Sequence, residues 1–231
     1  MFDLILSSYR ERRPERDAEY RRCLEENLAN PWISRIFVFY EDPGEELPAR
    51  FEHPKIEVFP HGGKALSFRR MFDLAAERSA GRRVIVANAD IYFDHTLGLL
   101  ESYDLSGRVL ALARHNVHVQ YHDLGYVWDP LDKTIAQDCW IFEAPLPEEL
   151  FADINIGWLG SDNWIAWEMA KVGLVVENPA RTLRAWHLHK DSGRDYSWRT
   201  HKDDPRFRCL ELPVHELGEP LPALALRRGE G

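Results

Sequence analysis

Asn88 and Asp90 have side-chain types and a spacing that could do chemistry, because they directly follow the apolar run of residues 84–87. Side chains at i and i+2 of an extended segment point the same way, so both are expected to project into one crevice. A single carboxylate at a strand end suits a hard divalent cation that keeps waters and shares phosphate oxygens. The alternative is that Asp90 caps a turn, while for Asp94 capping of the next helix is the favoured interpretation.

A second cluster lies late in the chain, where His187 and His189 share a face if the segment is extended. Imidazole is a common metal ligand. Three donors of the kind that bind a diphosphate follow: Lys190, Arg194 and Tyr196. A lone histidine is more often structural, but this pair and the donors after it favour a functional site.

Two further carboxylates are candidates for substrate chemistry. Asp162 follows a Gly-Trp-Leu-Gly-Ser segment just before an expected helix, so it is either a helix N-cap or a general base. In the functional interpretation, Trp158 offers a stacking surface to a sugar ring. Asp138 precedes an expected strand, where it either binds substrate hydroxyls or supports a turn.

The elements that must position these residues alternate between strands and helices. Apolar and β-branched runs predict strands at residues 2–7, 36–40, 56–59, 84–87, 109–113, 140–142, 174–177 and 183–186. Helices are expected from Pro14 to about Ala29, after Ser67 as N-cap, over residues 96–103 and over 164–172. This order predicts a single-domain α/β fold, a mostly parallel sheet flanked by helices, over residues 1–212. Residues 213–231 read as a Pro- and Gly-containing tail.

Composition excludes several classes of protein. The 231 residues are 45% hydrophobic and 29% charged with a formal charge of −9, which is typical of a globular chain and disfavours bulk nucleic-acid binding. Three cysteines without CxxC spacing argue against a disulfide framework, and no apolar run approaches the ~20 residues of a membrane span. P-loop, GxGxxG, HExxH and GxSxG signatures are absent from the sequence. We therefore expect a cytoplasmic protein with no nucleic-acid partner.

Taken together, residues 2–196 resemble the nucleotide-sugar-dependent glycosyltransferases of the GT-A fold. The likeness is carried by an acidic DxD-like motif after the fourth strand, Gly-Ser-Asp-Asn before a helix, and a late histidine. The strings Asn-Ala-Asp-Ile-Tyr-Phe-Asp, Gln-Asp-Cys-Trp-Ile-Phe and His-Leu-His look more narrowly like those of a group of small glycosyltransferase-like proteins. Asn88 stands where the motif usually begins with Asp, which is a departure from the pattern.

The resemblance implies roles for individual positions. Asp90 would be the metal-binding carboxylate of the DxD-like motif, with His189 or, less favoured, His187 as a second ligand for Mn²⁺ or Mg²⁺. Asp162 would activate an acceptor hydroxyl in an inverting transfer, and Asp138 and Trp158 would bind substrate. Contacts to the nucleotide would come from Ser7, Ser8, Tyr9, Lys64, Arg69, Asn88, Lys190, Arg194 and Tyr196.

The implied partners are a nucleoside-diphosphate sugar, with UDP as the expected nucleotide, and a saccharide or other hydroxyl acceptor. Two alternatives remain open from the sequence. One is a non-catalytic nucleotide- or sugar-binding protein of the same fold, which Asn88 supports. The other is a zinc-dependent hydrolase in which His115, His118, His187 and His189 gather the metal. The sequence leaves the sugar, the acceptor and the oligomeric state open.

Overall fold

The computed structural model describes residues 1–41, 47–62, 65–117, 127–128, 137–188, 200–219 and 226–227. Its strands are β1 (Phe2–Ser8), β2 (Ile33–Tyr40), β3 (Ile56–Pro60), β4 (Arg83–Asn88), β5 (Ile91–Phe93), β6 (Arg108–Val117), β7 (Val127–Trp128), β8 (Gln137–Glu143), β9 (Val175–Glu177), β10 (Ala185–Leu188), β11 (Cys209–Leu210) and β12 (Leu226–Arg227). Its α-helices are α1 (Pro14–Ala29), α2 (Phe68–Ser79) and α3 (Ser161–Lys171), and 3₁₀ turns span Ala49–Phe51 and His95–Leu100.

The main sheet begins with four parallel strands in the order β3, β2, β1, β4. Strand β8 is antiparallel to both β4 and β6, so β6 runs in the same direction as β4. Strands β9 and β10 pair parallel with β6, and β5 pairs antiparallel with β10. The expected single-domain α/β fold with a mostly parallel sheet is confirmed.

Apolar side chains alternate between the two faces of this sheet. Along β1, Ile5 packs into the core beneath α2 and α3, whereas Leu4 and Leu6 pack into the core on the α1 side. Burial on both faces requires the near-continuous apolar strands seen in the sequence. The helices therefore pack against the two apolar faces of the sheet, and the edge of the sheet can carry polar groups.

Helix α1 begins and ends where the sequence predicts. Pro14 lies in its first turn, where a missing backbone N–H costs nothing, and Asn30 leaves the helix because it precedes Pro31. Its buried side includes Tyr20 and Cys23, as the spacing predicts. That side also carries the charged residues Arg16 and Glu19, which the spacing argument left out.

Three local predictions differ from the structure. Ser67 occupies the N-cap position of α2, but its side chain makes no capping hydrogen bond there. The expected helix over 96–103 is the 3₁₀ turn His95–Leu100, and the predicted capping role of Asp94 is confirmed, since its side chain accepts from the Thr96 backbone N–H at 2.9 Å. The strand expected at 183–186 lies two residues later, which places His187 inside β10.

The beginning of the expected tail packs against the body of the protein. The backbone N–H of His215 donates to the Asn178 carbonyl at 3.1 Å, and that of Leu217 donates to Thr182 Oγ1 at 2.9 Å. The boundary at residues 212 and 213 stays a prediction. Within the described ranges, no helix combines the length and the apolar character that crossing a lipid bilayer requires.

Candidate functional site

The sheet directions bring five strand ends to one edge. The carboxyl ends of β1, β4, β6 and β10 meet there, together with the amino end of the antiparallel β8. In open α/β sheets, ligands bind beyond the carboxyl ends of the strands. The predicted residues Asn88, Asp90, Asp138 and His187 all lie at this edge.

Asp90 and His187 are in direct contact although 97 residues separate them in the chain. The His187 Nε2 atom lies 3.0 Å from Asp90 Oδ2, and both residues are buried, at 1% and 4% exposure. The backbone fixes this pairing, because the Leu188 N–H donates to the Asp90 carbonyl at 3.1 Å. The contact therefore follows from the backbone position of β10 and does not depend on the rotamer of an exposed side chain.

The other nitrogen of His187 faces Asn116, its neighbour in register on β6. Nδ1 lies 3.0 Å from Asn116 Oδ1, so Nδ1 carries the proton and donates it. Nε2 then has two possible states beside the carboxylate of Asp90. A second proton makes the imidazole cationic, whereas an unprotonated Nε2 directs its lone pair at a negative oxygen. In the second state, a cation bound by both atoms would relieve the repulsion between them.

Asn88 and Asp138 form a second polar contact at the same edge. Asn88 Nδ2 donates to Asp138 Oδ1 at 3.2 Å, and Arg114 Nη1 lies 2.8 Å from each oxygen of Asp138. Arg114 also donates through Nε to Asn116 Oδ1 at 3.0 Å. Arg114 thus connects the Asn88–Asp138 contact to the Asn116–His187 contact.

Arg16 of helix α1 reaches the same edge from outside the sheet. Its Nη2 donates to Asp90 Oδ2 in a very short contact, and its Nη1 donates to Glu19 Oε2 at 2.5 Å and to the Leu188 carbonyl at 2.9 Å. Burial alone would lower the pKa of this guanidinium, but the negative charge of Asp90 outweighs burial and raises it. The side chain is therefore a permanent, buried cation beside Asp90.

We call these eight connected residues the edge network: Asn88, Asp138, Arg114, Asn116, His187, Asp90, Arg16 and Glu19. With His187 neutral, its three carboxylates outnumber its two guanidiniums. Buried carboxylates need compensation by nearby positive charge. The network then carries a net charge of −1, which favours a cation over an anion as a further partner.

His115 does not join this network. It pairs in register with Trp186, one position away from the Asn116–His187 pair, and so lies on the opposite face of the strands. Its Nε2 lies 2.8 Å from the Ala180 carbonyl, to which it donates. His115 and His187 therefore do not converge as the zinc hypothesis requires, while His118 lies outside the described residues.

The predicted nucleotide-contacting residues Ser7, Ser8 and Tyr9 lie at the end of β1, beside Asn88. Ser8 is buried, whereas Tyr9 is 39% exposed. The hydroxyl of Tyr9 lies 2.7 Å from that of Tyr20, and burial raises the pKa of both phenols. This tyrosine pair connects the end of β1 to the buried side of α1.

Asp162 and Trp158 lie at the start of α3. Asp162 is in the first helical turn, where the helix dipole stabilises negative charge, and its carboxylate accepts from Ser161 Oγ at 3.1 Å. Trp158 stacks on His201 with ring centroids 4.9 Å apart, and burial lowers the pKa of that imidazole. Gly160 makes the turn between them possible, with φ of 91° and Phe207 close to where a Cβ would project.

Arg69 lies in the first turn of α2. Its guanidinium donates to the Leu150 carbonyl and lies 4.0 Å from Asp73, so it joins α2 to the segment before α3. Five predicted site residues lie outside the described ranges: Lys64, His189, Lys190, Arg194 and Tyr196. Their roles stay predictions.

No family model matches the chain, and no curated protein matches it in sequence. Among solved structures, the mannosyltransferase PcManGT from Pyrobaculum calidifontis, in complex with GDP-Man and Mn²⁺, matches with a TM-score of 0.53 and 12% identity. The fold is a GT-A fold. The match covers 84% of this chain and 58% of the mannosyltransferase, so the chain spans little more than half of that enzyme.

Two further structures are similar at lower scores. S. aureus TarS matches with a TM-score of 0.47 and 13% identity, over 81% of this chain and 36% of TarS. A 4-diphosphocytidyl-2C-methyl-D-erythritol synthase matches with a TM-score of 0.46 and 14% identity, over 79% of this chain and 91% of that synthase. At such identities the likeness concerns the fold alone.

Sequence reasoning missed Arg16, Arg114 and Asn116. Arg16 lies four residues before Tyr20 and therefore on the apolar side of α1, and a charged residue on such a side was the available signal. Arg114 and Asn116 alternate at the end of an apolar strand, in the same pattern that singled out Asn88 and Asp90. That second alternation could have identified them.

Proposed function

We propose that this protein is a nucleotide-sugar-dependent glycosyltransferase whose donor diphosphate binds at the edge network. The observation that carries the proposal is the 3.0 Å contact between Asp90 Oδ2 and His187 Nε2 at the carboxyl edge of a GT-A sheet. The pattern of the sequence alone favours both residues as candidates for a site. Their meeting supports a shared ligand, and the net negative charge of the edge network favours a cation.

The residues present fit a hard divalent cation. Asp90 Oδ2 and His187 Nε2, which lie 3.0 Å apart, would hold this cation together. Asn116 holds the distal nitrogen of the imidazole, as hydrogen-bond acceptors do behind metal-bound histidines. Within the described ranges no cluster of three or more ligating residues occurs, so waters and phosphate oxygens would complete the shell. An imidazole among oxygen ligands favours Mn²⁺ over Mg²⁺.

When bound, such a cation would neutralise the charge that develops on the departing diphosphate. Asp90 and His187 would hold it, and Arg16 would supply a second positive charge nearby. Lys190 and Arg194 are proposed to bind the phosphates as well. In the proposed transfer, a base takes the proton of the acceptor hydroxyl, the hydroxyl oxygen bonds to the anomeric carbon, and the nucleoside diphosphate leaves.

We assign the base to Asp162, which makes the transfer inverting, and the sugar-stacking surface to Trp158. Asn88 and Asp138 would bind hydroxyls of the donor, because their mutual hydrogen bond leaves both at the edge of the sheet. Ser7, Ser8 and Tyr9 would line the nucleoside pocket, with UDP as the proposed nucleotide. PcManGT is in complex with GDP-Man, so guanosine nucleotides belong in the same screen.

A non-catalytic nucleotide-binding protein is the second candidate. The salt bridge between Arg16 and Asp90 favours it, because a guanidinium already occupies the carboxylate that would hold the metal. In that case Arg16 would serve as the permanent cation for a diphosphate. The zinc hydrolase is disfavoured, because His115 and His187 lie on opposite faces of their strands.

A thermal-shift screen of nucleoside diphosphates with and without Mn²⁺ tests the proposal. A ligand at 100 times its Kd adds about 2.7 kcal/mol to the stability of the native state. We expect a shift that requires both metal and nucleotide, and we expect Asp90→Asn to abolish it. Asp94→Asn is the matched control, because Asn also accepts the capping hydrogen bond from Thr96.

Two results would refute this assignment. A nucleotide-induced shift of equal size without Mn²⁺ would favour the non-catalytic candidate. An unchanged metal-dependent shift in Asp90→Asn would mean that the cation binds at another position. Sugar transfer or donor hydrolysis, measured as release of the nucleoside diphosphate, distinguishes an enzyme from a binding protein.

A further inference from the structure

We propose that Asn116 is a positioning residue that keeps a proton on Nδ1 of His187 and sets the orientation of its ring. The inference rests on the proposed function only where it concerns metal affinity, because the protonation of Nδ1 is a property of the protein alone. Asn116 lies in register beside His187 on the parallel strands β6 and β10. The two side chains therefore share one face of the sheet, and their contact follows from the backbone.

The amide of Asn116 has only one orientation that satisfies its neighbours. Arg114 Nε approaches Asn116 Oδ1 at 3.0 Å, and a guanidinium can only donate hydrogen bonds. If the amide were flipped, its NH₂ group would face the Arg114 donor. Arg114 is itself held by both oxygens of Asp138 at 2.8 Å, so it cannot turn away without breaking an ion pair. The atom that faces His187 is therefore an oxygen.

An oxygen acceptor at that position decides the protonation of the ring. Nδ1 of His187 lies 3.0 Å from the same Oδ1 and must carry a proton to make the hydrogen bond. The remaining nitrogen, Nε2, then faces Asp90 and is the ring nitrogen that a shared cation would contact. His115 gives the opposite case, because its Nε2 donates to the Ala180 carbonyl. The two histidines on paired strands thus donate to neutral oxygen acceptors through opposite nitrogens, Nδ1 in His187 and Nε2 in His115.

Long-range ¹H–¹⁵N correlation spectra of the 231-residue chain, labelled at histidine, test this directly. We expect Nδ1 of His187 to be protonated in the wild type, and Nε2 of His115 to be protonated in the same spectrum. Asn116→Leu removes the acceptor, so the His187 proton is expected to leave Nδ1 for Nε2, where Asp90 accepts it. Asn116→Asp keeps an oxygen acceptor and is expected to retain the proton on Nδ1.

Metal affinity gives the second measurement. Mutating the outer partner of a ligating histidine typically costs 10–100-fold in affinity. We expect that loss for Mn²⁺ in Asn116→Leu, measured by titration with the nucleoside diphosphate found in the screen, and a smaller loss in Asn116→Asp. Circular dichroism and thermal melts verify that each variant is folded.

The outcomes separate the two proposals. An unprotonated Nδ1 at His187 in the wild type overturns the positioning role, and so does a protonated Nδ1 that persists in Asn116→Leu. The wild-type spectrum alone decides the first point, even if the leucine variant fails to fold. If protonation of Nδ1 depends on Asn116 while the wild type binds neither Mn²⁺ nor any nucleoside diphosphate, the positioning role stands and the proposed function fails.

Discussion

Replacing Arg16 with methionine removes the guanidinium that joins Asp90, Glu19 and the Leu188 carbonyl. Methionine keeps much of the apolar length of the side chain beside Tyr20, over whose ring the guanidinium lies at 4.6 Å. What changes is mainly the charge. The variant therefore tests whether Arg16 only neutralises buried carboxylates or also occupies the position at which a cation would bind.

Removing one member of a buried ion pair costs about 3–5 kcal/mol, because the other member stays buried without its partner. Asp90 keeps its contact with His187, so we expect a loss near the lower end, about 3 kcal/mol. For a chain of this size, 1 kcal/mol changes Tm by about 2–4 °C, which predicts a decrease of about 6–12 °C without metal. The matched control is Arg22→Met on the same helix, where an exposed i, i+4 pair with Glu26 contributes less than about 1 kcal/mol.

Mn²⁺ should then stabilise Arg16→Met more than it stabilises the wild type. In the wild type a divalent cation competes with Arg16 for Asp90 Oδ2, whereas in the variant the carboxylate is free of that competitor. Thermal melts over a Mn²⁺ titration, with Mg²⁺ in parallel, measure the difference. A Mn²⁺ shift that is smaller in Arg16→Met than in wild type and Arg22→Met would refute the competition.

Three further predictions concern stability and catalysis. Asp3 is buried at the opposite edge of the sheet, where burial alone would raise its pKa but hydrogen bonds from Arg35, Arg82, Ser79 and Ser34 outweigh burial and hold the pKa well below its usual range. The ionised carboxylate of Asp3 therefore stabilises the folded state above the unfolded pKa of about 3.9, and this stabilisation is lost as pH falls. Asp3→Asn should cost about 3 kcal/mol at neutral pH and should flatten the acid side of a plot of unfolding free energy, measured in urea, against pH. An unchanged acid slope in this variant would contradict the prediction. Gly98→Ala should cost about 1–3 kcal/mol, because the new Cβ would lie 2.7 Å from the Trp32 indole, whereas Leu99→Ala at an exposed neighbour should stay within about 0.5 kcal/mol. Asp162→Asn should retain nucleotide binding and lose about 10²–10⁴-fold in transfer rate, with exposed Asp153→Asn as control; equal rates in Asp162→Asn and wild type would end its assignment as the base.

Much of the fold was predictable because its signals are local. The period of apolar residues and the two prolines near its ends define α1, and uninterrupted apolar runs define the central strands. Alternation at a strand end was enough to single out Asn88 and Asp90. These features depend on neighbours a few residues apart, so a sequence displays them directly.

The missed features depend on pairings between distant segments. No local sequence pattern indicates that β8 runs antiparallel between β4 and β6. That direction brings Asp138 to the same edge as Asn88. The two-residue shift of β10 likewise comes from its pairing with β5 and β6. Register decides which side chains meet, and a one-residue slip would have turned His187 to the other face.

Arg16 links Asp90 to the tyrosine pair at the end of β1, where the nucleoside is proposed to bind. Arg16 lies under the ring of Tyr20, and the Tyr20 hydroxyl lies 2.7 Å from that of Tyr9, at the end of β1. A cation that displaced Arg16 from Asp90 would leave the guanidinium to Glu19 on the same helix and change the charge beneath this tyrosine pair. Metal and nucleotide would then stabilise each other's binding through α1, and linkage requires the effect to be equal in both directions. A Kd for Mn²⁺ that is independent of nucleotide would exclude such coupling, whereas reciprocal changes that vanish in Arg16→Met would place the coupling in this side chain.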